Sequence, residues 1–217
     1  MTEQIIGYLY ALPGILFALS IHELSHGFVA SKLGDPTARN LGRLTLNPLK
    51  HLDIFGFISM LVVGVGWAKP VPINTRYFKN GRRDTALVAL AGPVSNILSA
   101  FVMTVLYFLF LKFITVHPLD IGITLLQGII YIFQNFIFVN VGLAVFNLIP
   151  IPPLDGSRIL DAFLPHKALH MYHKYEAQIS IILMILLITG IVSPYISEAV
   201  YYVVGIIEKI ARFIVRI

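Results

Sequence analysis

Residues 21–26 read Ile21-His22-Glu23-Leu24-Ser25-His26, and they interrupt a segment, 5–30, that otherwise carries no charge. That segment is long enough to cross a bilayer, which takes ~20 apolar residues in a helix. His22 and His26 stand four positions apart and share one helical face. Two neutral imidazoles so placed can ligate Zn²⁺, with Glu23 beside them as a base toward water. On a soluble helix the same pattern arises readily by chance. Inside a membrane span no solvated face excuses a carboxylate, and such a group marks a functional site.

Composition supports the membrane setting. The chain has 217 residues, 57% of them hydrophobic and 12% charged, with a mean hydropathy of +0.83. A soluble domain shows roughly 45–50% apolar and about 25% charged residues. The expectation is an all-α polytopic membrane protein, with 1–217 forming one integral-membrane domain. There is no cysteine, so a metal site must draw on His and carboxylate. The N-terminus lacks the basic region and small-residue cleavage site of a signal peptide, so the first apolar segment is expected to be retained.

Five apolar segments stand out, at 5–30, 85–111, 121–149, 177–192 and 195–207. The last two are short, are separated only by Ser193-Pro194, and read as a tight helical hairpin. Residues 55–66 are apolar but too short and Gly-rich to span, which suits a re-entrant or interfacial element within the connection 41–75. The expected fold has about five to six transmembrane helices with a re-entrant, β-hairpin-like connection.

Charge sets orientation, because basic loops stay cytoplasmic. The formal charge of +5 therefore reads as topology and not as nucleic-acid binding. Nine basic residues lie in 31–84, three more follow the third span, and Lys209, Arg212 and Arg216 close the chain. Only Lys112 is left opposite. This reading is of a multi-pass protein of the cell membrane, with its N-terminus outside and its C-terminus and site mouth cytoplasmic. His22 then sits roughly 15 Å below the cytoplasmic surface.

A catalytic zinc needs three protein ligands and an open position. His117 and Asp120 belong to the outer connection. His166, His170 and His173 share a helical face but lie among charges, as on a solvated interfacial helix. His51 and Asp53 suit hydrogen-bonded loop roles, although His51 remains a competitor for the metal. Asp155 follows Asn147-Leu148-Ile149-Pro150-Ile151-Pro152-Pro153-Leu154, where three prolines must break the helix. Broken backbone at membrane depth belongs where protein or water covers it, and the carboxylate can swing inward there. An ordinary Asp-Gly turn explains the same residues equally well. Asn147 can donate to an oxyanion, or bridge backbone freed by Pro150. Asn96, after Gly92-Pro93, suits a hydrogen bond between helices in support of the site.

His22-Glu23-Leu24-Ser25-His26 together with Asn147-Leu148-Ile149-Pro150-Ile151-Pro152-Pro153-Leu154-Asp155-Gly156 resembles the site-2 protease family of intramembrane zinc metalloproteases. Gly42-Arg43-Leu44-Thr45-Leu46-Asn47-Pro48, Gly66-Trp67-Ala68-Lys69-Pro70-Val71-Pro72 and Ala91-Gly92-Pro93-Val94-Ser95-Asn96 look like further elements of its short members. The resemblance covers roughly residues 15–160, with no room for the PDZ or CBS domain of other members. It implies one Zn²⁺ per chain held by His22, His26 and Asp155, with Glu23 as catalytic base and acid. It implies too that Asn147 positions or polarises the scissile carbonyl. The expected substrate is a transmembrane protein or peptide in the lipid bilayer, cut near the cytoplasmic side. A re-entrant strand within 41–72 is expected to pair with the unwound substrate. The rivals are a membrane metal-ion carrier and a non-catalytic scaffold. A carrier should show internal repeats with paired broken helices, and only one broken span is visible.

Overall fold

The computed structural model describes residues 2–63, 66–116 and 122–217. The readings of His117 and Asp120 fall outside these residues. Nine α-helices occur among them: α1 (Thr2–Lys32), α2 (Thr37–Asn40), α3 (Ile54–Val63), α4 (Gly81–Val116), α5 (Ile123–Asn147), α6 (Asp155–Asp161), α7 (His166–Lys174), α8 (Glu176–Ile188) and α9 (Ser193–Val215). Among the described residues three helical spans are long and apolar enough to cross a membrane: Leu9–Lys32, Gly81–Val116 and Ile123–Asn147. The pair α7 and α8, bent by 60°, counts as a fourth by composition. The expected five to six spans exceed this number. At 13 residues, α8 extends only ~20 Å, short of the hydrocarbon thickness.

Helices α1, α4 and α5 pack on one another, and α9 packs on α4 and α5. Direction follows from side-chain pairs. Tyr10 meets Tyr131 and Phe17 meets Phe136, so α1 and α5 run together toward the same end. His26 meets Val88 while His22 meets Asn96, so α4 runs the opposite way. Gly14 permits the α1–α5 approach, since a Cβ there would stand 3.0 Å from Phe136 Cα.

Helix α9 departs from the hairpin reading. Val200, Val204 and Ile207 recur at helical spacing and bury against Ala100, Ile137 and Val141. Tyr201 packs on Phe138, and the Arg212 guanidinium sits 4.5 Å over the Phe108 ring. Lys112 Nζ donates to Val215 O at 2.8 Å. The C-terminus therefore shares the end of the bundle that holds Lys112, opposite the connection 31–84. Counting charges put it with that connection, because local charge carries no record of which helix an apolar stripe will choose. Lys209, Arg212 and Arg216 join Lys112, and twelve basic residues remain at the other end.

The connection between α1 and α4 also corrects an expectation. Residues 54–63 are helical, and no strand occurs among the described residues. Hairpin-like pairing among the described residues is one antiparallel bridge, Leu52 with Ala68, and a bond from Lys69 N to His51 O. Asp53 Oδ1 accepts from Gly56 N at 2.8 Å, the bond by which an N-cap satisfies a first-turn donor and starts a helix. The strand expected to pair with substrate is thus absent from 54–63.

Asp35 ties this connection to the end of α1. Its Oδ1 accepts from Thr37 N and Thr37 Oγ1, and its Oδ2 from Asn74 N. Burial pushes the carboxyl up, but these hydrogen bonds outweigh it and hold Asp35 below the usual carboxylate range.

Candidate metal centre

The centre forms where the oppositely directed α1 and α4 meet the broken end of α5. His22 and His26 are both buried on the face of α1 that meets α4. Gly92 lets the rings approach, for a Cβ there would lie 2.6 Å from His22 Cε1 and from His26 Cε1 and Nε2. Asp155 arrives from the other side of the chain. Pro150, Pro152 and Pro153 lack the N–H groups that would continue α5. Helix α6 then begins at Asp155 and packs on α4. Gly156 follows because a Cβ would stand 2.4 Å from both Leu148 O and Ile149 O.

The three donor atoms form a near-equilateral triangle. His22 Nε2 and His26 Nε2 are 3.0 Å apart, and Asp155 Oδ2 lies 3.1 Å from the first and 3.2 Å from the second. Hydrogen bonding determines what these atoms are. His26 Nδ1 is 2.7 Å from Val88 O, a carbonyl that only accepts, so Nδ1 carries the proton. His22 Nδ1 is 2.7 Å from Asn96 Oδ1. The Asn96 amide is oriented by its Nδ2, which donates to Ala18 O and to Asn140 Oδ1, both at 3.0 Å. Asn140 Nδ2 in turn donates to Phe136 O. His22 must therefore donate from Nδ1 as well.

In the neutral rings, the form that ligates a metal, both Nε2 atoms then present lone pairs toward each other and toward a carboxylate oxygen. Asp155 Oδ2 is buried and has no hydrogen-bond partner. Three acceptors facing inward repel unless a cation lies between them. A tetrahedral zinc at ~2.0–2.1 Å from each donor sets them roughly 3.3–3.4 Å apart. The triangle is within a few tenths of an ångström of that size, so these residues fit the ion. They form the one group of three or more His, Cys, Asp or Glu among the described residues with this geometry.

Glu23 lies beside the triangle, and its Oε2 accepts from Val71 N at 2.7 Å, which fixes the carboxylate against the connection. Asn147 Nδ2 donates to Leu143 O at 3.0 Å, bonding back to its own helix. Glu23, Asn147, Pro153 and Asp155 line a cavity of about 770 Å³ whose walls also include Thr75, Thr85 and His173. His51 is not part of the centre; it is buried, with Nε2 bound to Thr45 O at 2.8 Å. Of the α7 histidines, His173 reaches the cavity wall but pairs with Asp161 and Glu176.

Two contributors escaped sequence reasoning. Asn140 sits in an apolar run, and its only sequence signal was a polar amide at membrane depth. Arg82 Nε donates to Asp161 O at 3.0 Å, and its Nη2 reaches Asp161 O and Leu164 O. It thereby clamps the C-terminal end of the helix that carries Asp155, and the turn that follows it, to α4.

A helical bundle in which two histidines and an aspartate converge beside a glutamate has the form of a metal-dependent hydrolase. The family model for Peptidase family M50 matches residues 10–189, and this chain belongs to that family, the site-2 protease family. The chain is 40% identical over 180 residues to a Bacillus subtilis protein named "Putative zinc metalloprotease YwhC", covering 83% of this chain and 80% of the relative. A Mycolicibacterium smegmatis relative of the same description, Rip2, is 28% identical over 90% of this chain and 73% of its own length. MJ0611 of Methanocaldococcus jannaschii, likewise described, is 30% identical over 72% of each chain. No solved structure matches significantly.

Proposed function

We propose that this chain is a zinc-dependent intramembrane endopeptidase that cuts transmembrane segments of other proteins near the cytoplasmic side. The observation that carries this reading is the triangle of His22 Nε2, His26 Nε2 and Asp155 Oδ2, whose lone pairs face one another at 3.0–3.2 Å beside Glu23. His22, His26 and Asp155 hold the ion in this reading. Zinc, when bound, supplies Lewis acidity toward water and a peptide carbonyl. Glu23 takes the proton of the attacking water and returns it to the leaving amine. Its bond from Val71 N holds Oε2 and leaves Oε1 for that transfer. Asn147 lines the cavity and has a second amide N–H beyond the one bonded to Leu143 O, and in this reading that donor serves the oxyanion.

Helix direction supports a particular setting. In this reading α1, α4, α5 and α9 cross the cell membrane, giving fewer crossings than the five apolar segments suggested. The 23 residues of α9 reach ~34 Å, enough to span. Twelve of the sixteen Lys and Arg residues sit at the metal end, which supports a cytoplasmic site mouth. Both termini then lie outside.

The test is reconstitution in lipid with a model transmembrane substrate, measuring zinc content and cleavage together. Wild-type protein is expected to bind one zinc and cut, whereas Glu23→Gln binds zinc and does not cut. Metal with transport would favour a carrier, and neither metal nor turnover a scaffold. Normal cleavage by Glu23→Gln would overturn the assignment.

A further inference from the structure

We infer that the groove between α1 and α5, continuing from the metal centre toward the interior of the bundle, is a subsite for an apolar substrate side chain. The inference rests on the peptidase reading above. The groove has a volume of about 300 Å³ and no ionisable side chain in its lining. Its walls continue those of the catalytic cavity. On α1, Ile15 and Leu19 line the groove, while Glu23 and His26 line the cavity on the same helical stripe. On α5, Leu143 lines the groove and Asn147, one turn on, lines the cavity.

The third wall links the two spaces chemically. Trp67 lines the groove, and four residues later Val71 donates to Glu23 Oε2. Trp67 is seated by Gly56, where a Cβ would stand 2.1 Å from Trp67 O. A peptide lying along this connection therefore passes from Glu23 directly into the groove. Leu19 and Glu23 differ by four helical residues, a rise of ~6 Å. An extended chain covers the same distance in about two residues. The groove thus receives the side chain two residues from the scissile bond, on the side nearer the bilayer centre. That part of an unwound transmembrane segment is apolar, which matches the lining.

Gly142 gives the means of testing this. It lines the groove, and an added Cβ there meets nothing within 4 Å. Gly142→Leu should fill the space without displacing the helices. The probes are model substrates differing only at the second residue on the membrane side of the cut, bearing Leu, Phe or Ala. Gly142→Leu is expected to lower kcat/KM for the Leu and Phe substrates by about tenfold or more, while the Ala substrate changes little. Zinc content should be unchanged. Should Gly142→Leu fail to assemble, Gly142→Ala is expected to shift the same preference by a smaller factor. Equal loss on every substrate, as from a displaced lipid chain, or no change at all, overturns the subsite. Absence of cleavage by the wild type instead overturns the peptidase reading itself.

Discussion

His22 donates from Nδ1 to Asn96 Oδ1 across 2.7 Å, joining a residue of the metal triangle on α1 to an amide on α4. The bond does more than hold two helices together. It selects the tautomer in which the neutral ring turns a bare Nε2 toward Asp155, and it hangs on a chain of amides running through Asn140 to Phe136 O. The preparation of the site for a cation therefore begins on a third helix, far from the zinc motif in sequence.

Asn96→Leu is expected to retain the fold but weaken zinc binding by about 10–100-fold, the usual effect of removing a partner behind a ligating histidine. Chelator competition on purified protein measures it. Asn140→Leu leaves one Asn96 N–H unpaired and should cost about 1–3 kcal/mol of stability, with a smaller effect on metal. Unchanged zinc affinity in Asn96→Leu would remove the amide relay from the account.

Removal of Asp155 should act differently from removal of Glu23. Asp155→Ala deletes one corner of the donor triangle, and zinc content after dialysis is expected to fall toward zero. Glu23→Gln should keep its metal. Elemental analysis of the two variants side by side distinguishes ligand from base.

Gly92→Ala adds one carbon where both imidazoles sit at 2.6 Å. The rings cannot yield without losing their bonds to Asn96 and Val88 O. Metal affinity should drop at least as far as in Asn96→Leu. Gly122→Ala, where the added carbon meets nothing, is the control and should be silent.

Arg82→Ala releases the carbonyls of Asp161 and Leu164 from α4. Hydrogen bonds from a charged donor are worth about 1.5–3 kcal/mol each. Hydrogen exchange over 155–164 is expected to quicken, and zinc dissociation with it. Protection equal to wild type would show that packing alone seats the helix.

Asp35 has its folded pKa held below the ordinary value, so its stabilising contribution is present above about pH 3.9. That contribution is lost as pH falls through the lowered folded value. Asp35→Asn presents an amide where backbone donors converge, and should cost about 2 kcal/mol near neutral pH. The difference between wild type and Asp35→Asn in thermal unfolding should shrink in acid. A constant gap across pH would contradict the role.

Much of the site could be read from spacing, because its parts are local. The fourfold interval of His22 and His26 puts two rings on one face of any helix, and three prolines end α5 wherever it packs. Segment identity was equally legible for α1, α4 and α5, whose apolar lengths match a bilayer. What the chain alone left open was pairing between distant segments. That Asp155 meets both histidines, that Asn140 orients Asn96, and that Arg82 clamps α6 all depend on how separate helices stack. The direction of α9 was misread for the same reason: its charges suggested one side, while burial of Val200, Val204, Ile207 and Ala211 along α4 set the other. The strand expected within 41–72 does not occur at 54–63, where an apolar run of a length that suits strand or helix alike forms a helix whose first turn Asp53 caps through Gly56 N. Periodicity and proline determine elements along the chain; contacts between elements are decided only when apolar faces compete for one another in three dimensions.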